Sequence, residues 1–350
     1  MLVRATLPTL RQLARHRARR LLGLFSVVGG AIGCWRADVH AITDPLASDG
    51  AVRADVRTIT DPLASDGADR ADGVSADSPS AVICPSPALG PDDTRKTVKV
   101  GSLDRSYLLH VPPAYDGSKP VPLIVDFHKG GDSGSTEQSD SPYPAVTDPE
   151  GVIMAFPDGK KGPGATGSLT GWNLGPCCVE NVDDVAFAKA LVAQVQTTAC
   201  IDPDRIYAVG AGGGGGMAYR LACDAGDVFA AVAATAWDLL AENVDDCSPK
   251  RPITVISFRG TADTVVPYDG GVSSVVPDMT ITFIGAKPTF EKWAELDGCT
   301  GSPTTPDSNG CSSYSSCKDS VEVFLCTNPE GHPDPGNAAV AWPLLKRHPL

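Results

Sequence analysis

A run of glycines near the middle of the chain is the segment best suited to chemistry. Five consecutive glycines occupy residues 212–216, after an apolar stretch that predicts a strand and before Gly216–Cys223, which has helical spacing. Glycines at a strand-to-helix turn let the backbone approach a ligand or a neighbouring strand closely. Two kinds of site use such a turn, a cradle for the phosphates of a dinucleotide and a sharp turn that presents a nucleophile.

The dinucleotide interpretation rests on Gly210, Gly212 and Gly215, which have the spacing of the phosphate-binding fingerprint. Asp238 then follows at about the distance at which an acid would hold a ribose. However, several predicted strands precede this turn, whereas the fingerprint opens the first strand–helix unit. An exported domain, which the cysteines below indicate, would also meet little nicotinamide cofactor. We therefore favour a nucleophile elbow over residues 210–214, with position 212 as its apex.

Several stretches on both sides of this turn match the motifs of one protein family, over about residues 95–335. They are Arg105 to Pro112, Phe127-His128, Gly171-Trp172-Asn173, Asn181 to Phe187, Gly214 to Cys223, Phe229 to Ala233, Gly260 to Tyr268, and Glu322 to Thr327 with Gly331-His332. In these stretches the chain resembles the secreted polyhydroxybutyrate depolymerase and feruloyl esterase group of α/β-hydrolases.

The resemblance implies a single catalytic-type domain with a mostly parallel, doubly wound α/β sheet. Members place the nucleophile, the acid and the histidine in that chain order, which assigns the acid to Asp263 and the base to His332. The histidine takes a proton from the nucleophile, and the carboxylate orients the imidazole. The implied ligands are polyesters or ester-decorated plant polysaccharides, and no cofactor or metal is expected.

The family's nucleophilic serine falls at position 212, which is Gly in this chain. Residues 210–216 contain no Ser, Thr or Cys, so a shifted alignment supplies no replacement. The covalent acyl-enzyme route is therefore closed. Two hypotheses follow: a catalytically impaired protein that binds an ester polymer, or an active hydrolase in which His332 and Asp263 activate water or another nucleophile serves.

The backbone N–H groups near Gly130 and Gly213 are the expected oxyanion hole. Here too the chain departs from the family pattern, since Lys129 follows His128 where members keep Gly. A third departure follows His332, where Pro333 replaces an aromatic residue. The departures cluster at the expected active centre, which indicates relaxed or redirected function.

Short apolar runs must position these residues. They predict a sheet in which both faces are covered, because continuous apolar strands alternate with helical segments. The predicted strands are 106–111, 123–127, 152–156, 205–209, 230–234, 253–258 and 321–326, and the predicted helices are 182–198, 216–223 and 289–296.

The N-terminal quarter has a different character. Residues 1–33 carry six arginines and no acid, followed by a short apolar run, which is typical of a secretory signal. Cys34 stands where a lipoprotein signal would be lipidated, which would tether the chain to a membrane. Residues 34–83 contain a 17-residue repeat and predict a disordered acidic linker, so the folded domain is expected over residues 84–350.

Eleven cysteines in an acidic chain support export and exclude some partners. Apart from Cys34, ten cysteines fall between Cys84 and Cys326, an even number that predicts a disulfide-stapled domain of unknown pairing. The chain contains no pair of Cys-x-x-Cys motifs at the spacing of a zinc site, so we expect no structural zinc. A net charge of −13 argues against nucleic acid as a partner. We expect an extracellular, periplasmic or surface-bound monomer.

Overall fold

The structure is a computed structural model that describes residues 82–161, 169–274, 279–332 and 337–350. The predicted signal, Cys34 and nearly all of the linker lie outside these residues. The described residues belong to one compact unit, Val74–Leu350. Within them, no helix is long and apolar enough to cross a bilayer.

A nine-stranded sheet forms the centre of the described domain, in the order β1-β2-β4-β3-β7-β8-β9-β13-β12. The strands are β1 Asp92–Val100, β2 Leu103–Val111, β3 Val121–Phe127, β4 Ile153–Pro157, β5 Lys160–Lys161, β6 Thr170–Gly171, β7 Ile201–Ala211, β8 Ala231–Thr235, β9 Thr254–Gly260, β10 Gly271–Ser273, β11 Ile281–Phe283, β12 Cys311–Tyr314 and β13 Val323–Asn328. The six strands from β4 to β13 in this order run parallel, and the antiparallel pairs lie at the two edges. The predicted mostly parallel α/β-hydrolase sheet is confirmed.

Six α-helices connect and cover these strands in the described part of the chain. They are α1 Gly134–Asp140, α2 Pro144–Thr147, α3 Asp184–Thr198, α4 Gly213–Asp224, α5 Ala286–Leu296 and α6 Ala338–Leu345. Helix α3 begins two residues after its predicted start at 182 and ends at the predicted residue, and the Asp183 side chain accepts the Ala186 N–H as its N-cap. Helix α4 begins three residues before its predicted start.

Alternate residues of the central strands pack into two separate cores. On β3, Leu123, Val125 and Phe127 join one hydrophobic cluster, whereas Ile124 joins the other. Successive strand residues point to opposite faces, so both faces of the sheet are covered, as a doubly wound sheet requires. Each strand therefore has a fixed register, and the carboxyl ends of the parallel strands are held at one edge.

Disulfides hold the surface segments to this sheet. Among the described residues, all ten cysteines pair, as Cys84–Cys200, Cys177–Cys178, Cys223–Cys247, Cys299–Cys317 and Cys311–Cys326. The expected disulfide-stapled domain is confirmed, and it carries five bridges among the described residues. Disulfides of this density are typical of chains that fold in an oxidising compartment.

Candidate active site

The turn between β7 and α4 has the shape predicted for a nucleophile elbow. Strand β7 ends at Ala211, helix α4 begins at Gly213, and Gly212 between them has φ 53° and ψ −124°. The Gly212 N–H donates to the Thr235 carbonyl at 2.9 Å, which fixes the turn to the next strand. A residue with a side chain adopts this positive φ only under strain, whereas Gly adopts it freely.

Two flanking glycines explain why this turn can be so tight. A Cβ on Gly210 would lie 2.5 Å from the Gly214 carbonyl carbon, and a Cβ on Gly214 would lie 1.8 Å from the Phe127 oxygen. Both positions therefore require glycine on steric grounds. Position 212 differs, because a Cβ there would meet one heavy atom within 4 Å outside its chain neighbours, the Lys129 Cβ at 3.3 Å. At the apex, an added Cβ would meet no backbone atom closely, although the positive φ and the Lys129 Cβ constrain any side chain placed there.

The expected acid and base meet at the same edge of the sheet. Asp263 follows β9 and His332 follows β13, and His332 Nδ1 lies 2.9 Å from Asp263 Oδ2. These strands are two and three places from β7 in the sheet order. The Asp263 side chain is fully buried, whereas about a third of the His332 side chain is exposed. The imidazole is therefore oriented by the carboxyl group and still reaches solvent.

Backbone groups hold Asp263 in place from the other side. Its Oδ1 accepts the Val265 N–H at 2.8 Å and the Val266 N–H at 2.9 Å, so each carboxyl oxygen has a partner. A carboxyl group held this way keeps one orientation, which in turn fixes the Nδ1–H tautomer of His332. The His332 Nε2 then remains the free position for a proton transfer.

The segment after β3 carries the expected oxyanion hole and is fixed by His128. This buried imidazole donates from Nδ1 to the Lys129 carbonyl at 2.7 Å and accepts the Gly159 N–H on Nε2 at 2.9 Å. Burial is the main reason that the pKa of His128 is lowered, which agrees with a neutral ring that accepts on Nε2. The Trp172 indole donates to the His128 carbonyl at 2.8 Å. These bonds hold the Lys129–Gly130 turn rigidly.

Gly130 and Gly213 lie against each other across this turn. A Cβ on Gly213 would lie 3.5 Å from the Gly130 nitrogen, so the two backbone segments expected to form the oxyanion hole are adjacent. The Lys129 side chain lies over Gly212, and its ammonium group extends to Asp132 at 3.4 Å with about half of the side chain exposed. The two departures at positions 129 and 212 are therefore in direct steric contact.

Asp238, the acid of the dinucleotide interpretation, has a structural role. It forms an ion pair with Arg259, and both side chains are fully buried. Arg259 also donates to the Val266 carbonyl at 2.6 Å. Desolvation by burial raises the pKa of Asp238 to about 6, although Arg259 acts in the opposite direction. An acid enclosed in this way cannot receive a ribose, so the structure gives no support to that interpretation.

Sequence analysis missed a second pair of carboxyl groups behind the elbow. Asp126 at the end of β3 and Glu137 on α1 are both buried and border a small cavity that Gly210 and Ala211 also line. The Ser141 hydroxyl donates to Asp126 at 2.6 Å. Burial raises the pKa of Asp126 well above its usual range and that of Glu137 to about 7. The sequence signal was an acid inside an otherwise apolar strand.

Metal-binding side chains do not cluster in the described ranges, where no group of three or more His, Cys, Asp or Glu residues could hold an ion. The polar groups that the described residues bring to this edge include His332 with Asp263, the Lys129 ammonium group and the backbone N–H groups near Gly130 and Gly213.

Comparison with known proteins identifies the lineage of this site. No protein-family profile matches the chain. Feruloyl esterase B of Piromyces equi is 41% identical over 251 residues, which is 70% of this chain and 46% of that protein. Feruloyl esterase C of Emericella nidulans is 32% identical over 217 residues, 59% of this chain and 72% of that protein. The chain spans about half the length of the first of these.

Solved structures agree on the fold. An acetyl xylan esterase from Aspergillus awamori superposes with a TM-score of 0.53 at 14% identity, covering 72% of this chain and 99% of that one. An S-formylglutathione hydrolase from Agrobacterium tumefaciens gives 0.51 at 13% identity, covering 77% and 99%. At sequence identities this low, the structural similarity shows the fold alone. Because the chain is 32% identical to feruloyl esterase C and covers 72% of that protein, it belongs to the esterase family of α/β-hydrolases that contains the feruloyl esterases.

Proposed function

We propose that this protein binds ester-decorated plant polysaccharide and is catalytically impaired, because the apex of its nucleophile elbow carries no side chain. The observation that supports this most directly is the contrast at one sheet edge. The elbow and the His332–Asp263 pair are both formed, yet Gly212 at the apex has no hydroxyl or thiol to attack a carbonyl. The site keeps the means to bind and polarise an ester and lacks the atom that would form the acyl-enzyme.

The size of the expected impairment follows from serine hydrolases in general. Removing the nucleophile lowers kcat by on the order of 10⁶-fold. The oxyanion hole and substrate binding still leave about 10³–10⁴-fold catalysis over water. We expect this residual level here at most, because Lys129 alters the oxyanion segment as well.

A second candidate function is direct hydrolysis by water, which the room at Gly212 favours. In that reaction His332 Nε2 would take a proton from a water molecule near the apex, and the hydroxide would add to the ester carbonyl. The carbon–oxygen bond to the alcohol would then break, and the imidazolium would return the proton to the leaving alcohol. No acyl-enzyme would form, because the protein supplies no atom that bonds to the carbonyl carbon.

The polysaccharide assignment draws on relatives. Two feruloyl esterases are similar in sequence, and an acetyl xylan esterase is similar in fold. The sequence motifs also resemble those of polyhydroxybutyrate depolymerases, so a polyester belongs in the same experiment as a competing ligand. Binding to polyhydroxybutyrate granules without binding to feruloylated arabinoxylan would contradict the polysaccharide assignment.

The decisive experiment compares four proteins on methyl ferulate and p-nitrophenyl acetate: wild type, His332→Ala, Gly212→Ser and Gly212→Ala. The alanine variant is the matched control, since it imposes the same backbone constraint as serine without a hydroxyl. We expect wild type and His332→Ala to be equally slow and Gly212→Ser alone to gain turnover. Wild-type activity that disappears in His332→Ala would support water activation and overturn the proposal.

Export is part of the same proposal. The signal-like residues 1–33 and the five disulfides support an extracellular or surface location, and the Cys84–Cys200 bridge supports a domain that begins near residue 84. Lipidation of Cys34 would tether a monomeric domain to a membrane through the acidic linker. Mass spectrometry of the protein purified from its host membrane fraction tests this, with a diacylglyceryl group on Cys34 as the expected result.

A further inference from the structure

A cavity beside α4 is separate from the sheet edge that carries Gly212, Asp263 and His332, and it has the features of a ligand site. Its volume is about 350 Å³, within the range of small-molecule sites. Its walls come from one face of α4, from the loop at 174–176, and from residues 237–247 after β8. Gly216, which lines it, donates its N–H to the Gly212 carbonyl at 3.0 Å, so the cavity begins one helical turn from the apex.

The cavity is lined by a hydrogen-bond donor for which the described residues provide no acceptor. The Trp237 side chain is largely buried, and no described residue accepts its indole N–H. By contrast, Trp172 donates to the His128 carbonyl and Trp342 donates to Glu150. A Cβ on Gly216 would lie 2.7 Å from Trp237 Nε1, so this glycine provides the space that the indole occupies. The indole nitrogen is not fully enclosed by the protein, so a ligand in the cavity can reach it and supply the acceptor.

The walls of the cavity are cross-linked, so it exists before any ligand arrives. The Cys223–Cys247 disulfide joins the end of α4 to the end of the 237–247 segment. The Asn243 amide donates to the Leu174 carbonyl at 3.2 Å, which joins that segment to the opposite loop. A preformed cavity loses little conformational entropy on binding.

The chemistry of the rim selects the class of ligand. The lining includes four acidic residues, Asp224, Asp238, Glu242 and Asp246, and one guanidinium group, that of Arg220. Asp224 binds Arg220 at 2.6 Å, and Asp238 is paired with the buried Arg259. Excess negative charge disfavours an anionic ligand. An ammonium ligand would suit the carboxylates but has no acceptor for the Trp237 N–H. A hydroxyl group accepts from the indole and donates to carboxylates, and the apolar walls at Leu174 and Leu239 fit the C–H face of a sugar ring.

We infer that this cavity is a binding site for a neutral sugar, of the size of one or two pentose units. The cavity itself indicates the hydroxylated class of ligand, whereas the choice of a xylan-type sugar rests on the proposed function. A sugar held one helical turn from Gly212 would bring an ester on the same polysaccharide toward the apex. The site would therefore anchor the polymer whether or not the ester is cleaved.

Nitrogen-15 NMR of the full chain with labelled tryptophan tests this inference, with xylotriose as the probe. We expect the Trp237 indole signal to shift and saturate within about 50 mM xylotriose, as a site with a millimolar Kd requires. The indole signals of Trp172 and Trp342 should stay fixed, because both N–H groups are already bonded. Tetramethylammonium and benzoate serve as the cationic and anionic probes, and neither should shift the signal.

Two variants measure the contribution of the cavity to affinity. Trp237→Phe keeps an aromatic ring and removes the N–H, so calorimetry should show xylotriose binding weakened about fivefold, the effect of one neutral hydrogen bond. Asp246→Ala changes an exposed rim residue that should not affect folding, and it should also weaken binding. Trp342→Phe is the matched control and should bind as wild type does.

An unchanged Trp237 signal at 50 mM xylotriose would overturn the inference, as would a shift with tetramethylammonium or benzoate in its place. The outcome is independent of the proposed function, since the esterase variants alter no cavity residue. If the Trp237 signal shifts with xylotriose but Gly212→Ser is inactive, the sugar site is supported and the proposed role of Gly212 as the former nucleophile position is contradicted. If Gly212→Ser is active but the Trp237 signal does not shift, the role of Gly212 is supported and the sugar site is contradicted.

Discussion

The two halves of the candidate site differ in how closely they are tied into the fold. On the acid–base half, Asp263 receives two backbone N–H groups and His332, and it lies beside the buried Arg259–Asp238 pair through the Val266 segment. On the nucleophile half, the apex is a glycine and Lys129 packs over it. The first half is tied into the fold by bonds that also stabilise the chain, whereas the serine hydroxyl of an esterase is a group that the fold does not need.

This comparison gives the two halves different structural costs. A residue with a side chain adopts the positive φ of the apex under strain, so glycine at that position does not lower stability. Removing Asp263 would leave two backbone N–H groups without acceptors in a buried turn. The fold therefore depends on the acid–base half whether or not the protein is catalytic.

The largest expected effect comes from restoring both positions of the nucleophile half. A serine Cβ at 212 would lie 3.3 Å from the Lys129 Cβ, a contact tight enough that Lys129 must shift. We expect Gly212→Ser with Lys129→Gly to raise kcat/KM on methyl ferulate at least a hundredfold over wild type, and Gly212→Ser alone to gain less. Stopped assays of both proteins measure the difference.

The control for this pair is Gly212→Ala with Lys129→Gly, which opens the same space without a nucleophile and should stay inert. Equal gains for the single and double serine variants would show that Lys129 does not obstruct the apex. Adding His332→Ala to the double serine variant should remove the gain, because the imidazole that would take the proton from the serine is then absent.

The next effect is on stability and tests the acid–base half. We expect Asp263→Ala to lower the free energy of unfolding by about 2–4 kcal/mol, since it leaves the Val265 and Val266 N–H groups and His332 without their acceptor. Urea denaturation at neutral pH measures this. The nearby exposed Asp269→Ala is the matched control and should change stability by less than about 0.5 kcal/mol. Similar values for the two variants would contradict the structural role of Asp263.

Some of these features could be predicted from sequence and others could not, for physical reasons. The central strands are predictable because both faces are buried and their runs are continuously apolar, and the elbow is predictable because Gly210 and Gly214 are sterically required. Strand β1 was missed because it lies at the sheet edge and is mostly polar. Helix α6 was missed because Pro343 within it usually marks a helix end.

The candidate site divides in the same way. Asp263 and His332 were found because each follows a buried strand within a motif. The Asp126–Glu137 pair was not, since its members come from β3 and α1 and meet through the tertiary fold alone. The unsatisfied Trp237 N–H is likewise invisible in the sequence, which shows that a tryptophan is present and not what its nitrogen meets.

The smallest expected effect concerns pH and uses the Asp126–Glu137 pair as a probe of the segment behind the elbow. Burial raises the pKa of Glu137 from 4.5 to about 7, so the folded state keeps its proton while the unfolded chain loses it. The unfolded state then binds fewer protons, and stability falls as pH rises from about 4.5 to about 7. Asp126 shifts in the same direction and adds to this slope.

We expect Glu137→Gln to remove part of this decline. Between pH 4 and pH 8, the free energy of unfolding of Glu137→Gln should fall by on the order of 1–2 kcal/mol less than that of wild type. Urea denaturation across this range measures the slope, with the exposed Glu180→Gln as the matched control that should follow the wild-type curve. Parallel curves for Glu137→Gln and wild type would mean that Glu137 ionises normally in the folded protein, and that the cavity behind the elbow is more open to solvent than the contacts of Asp126 and Ser141 indicate.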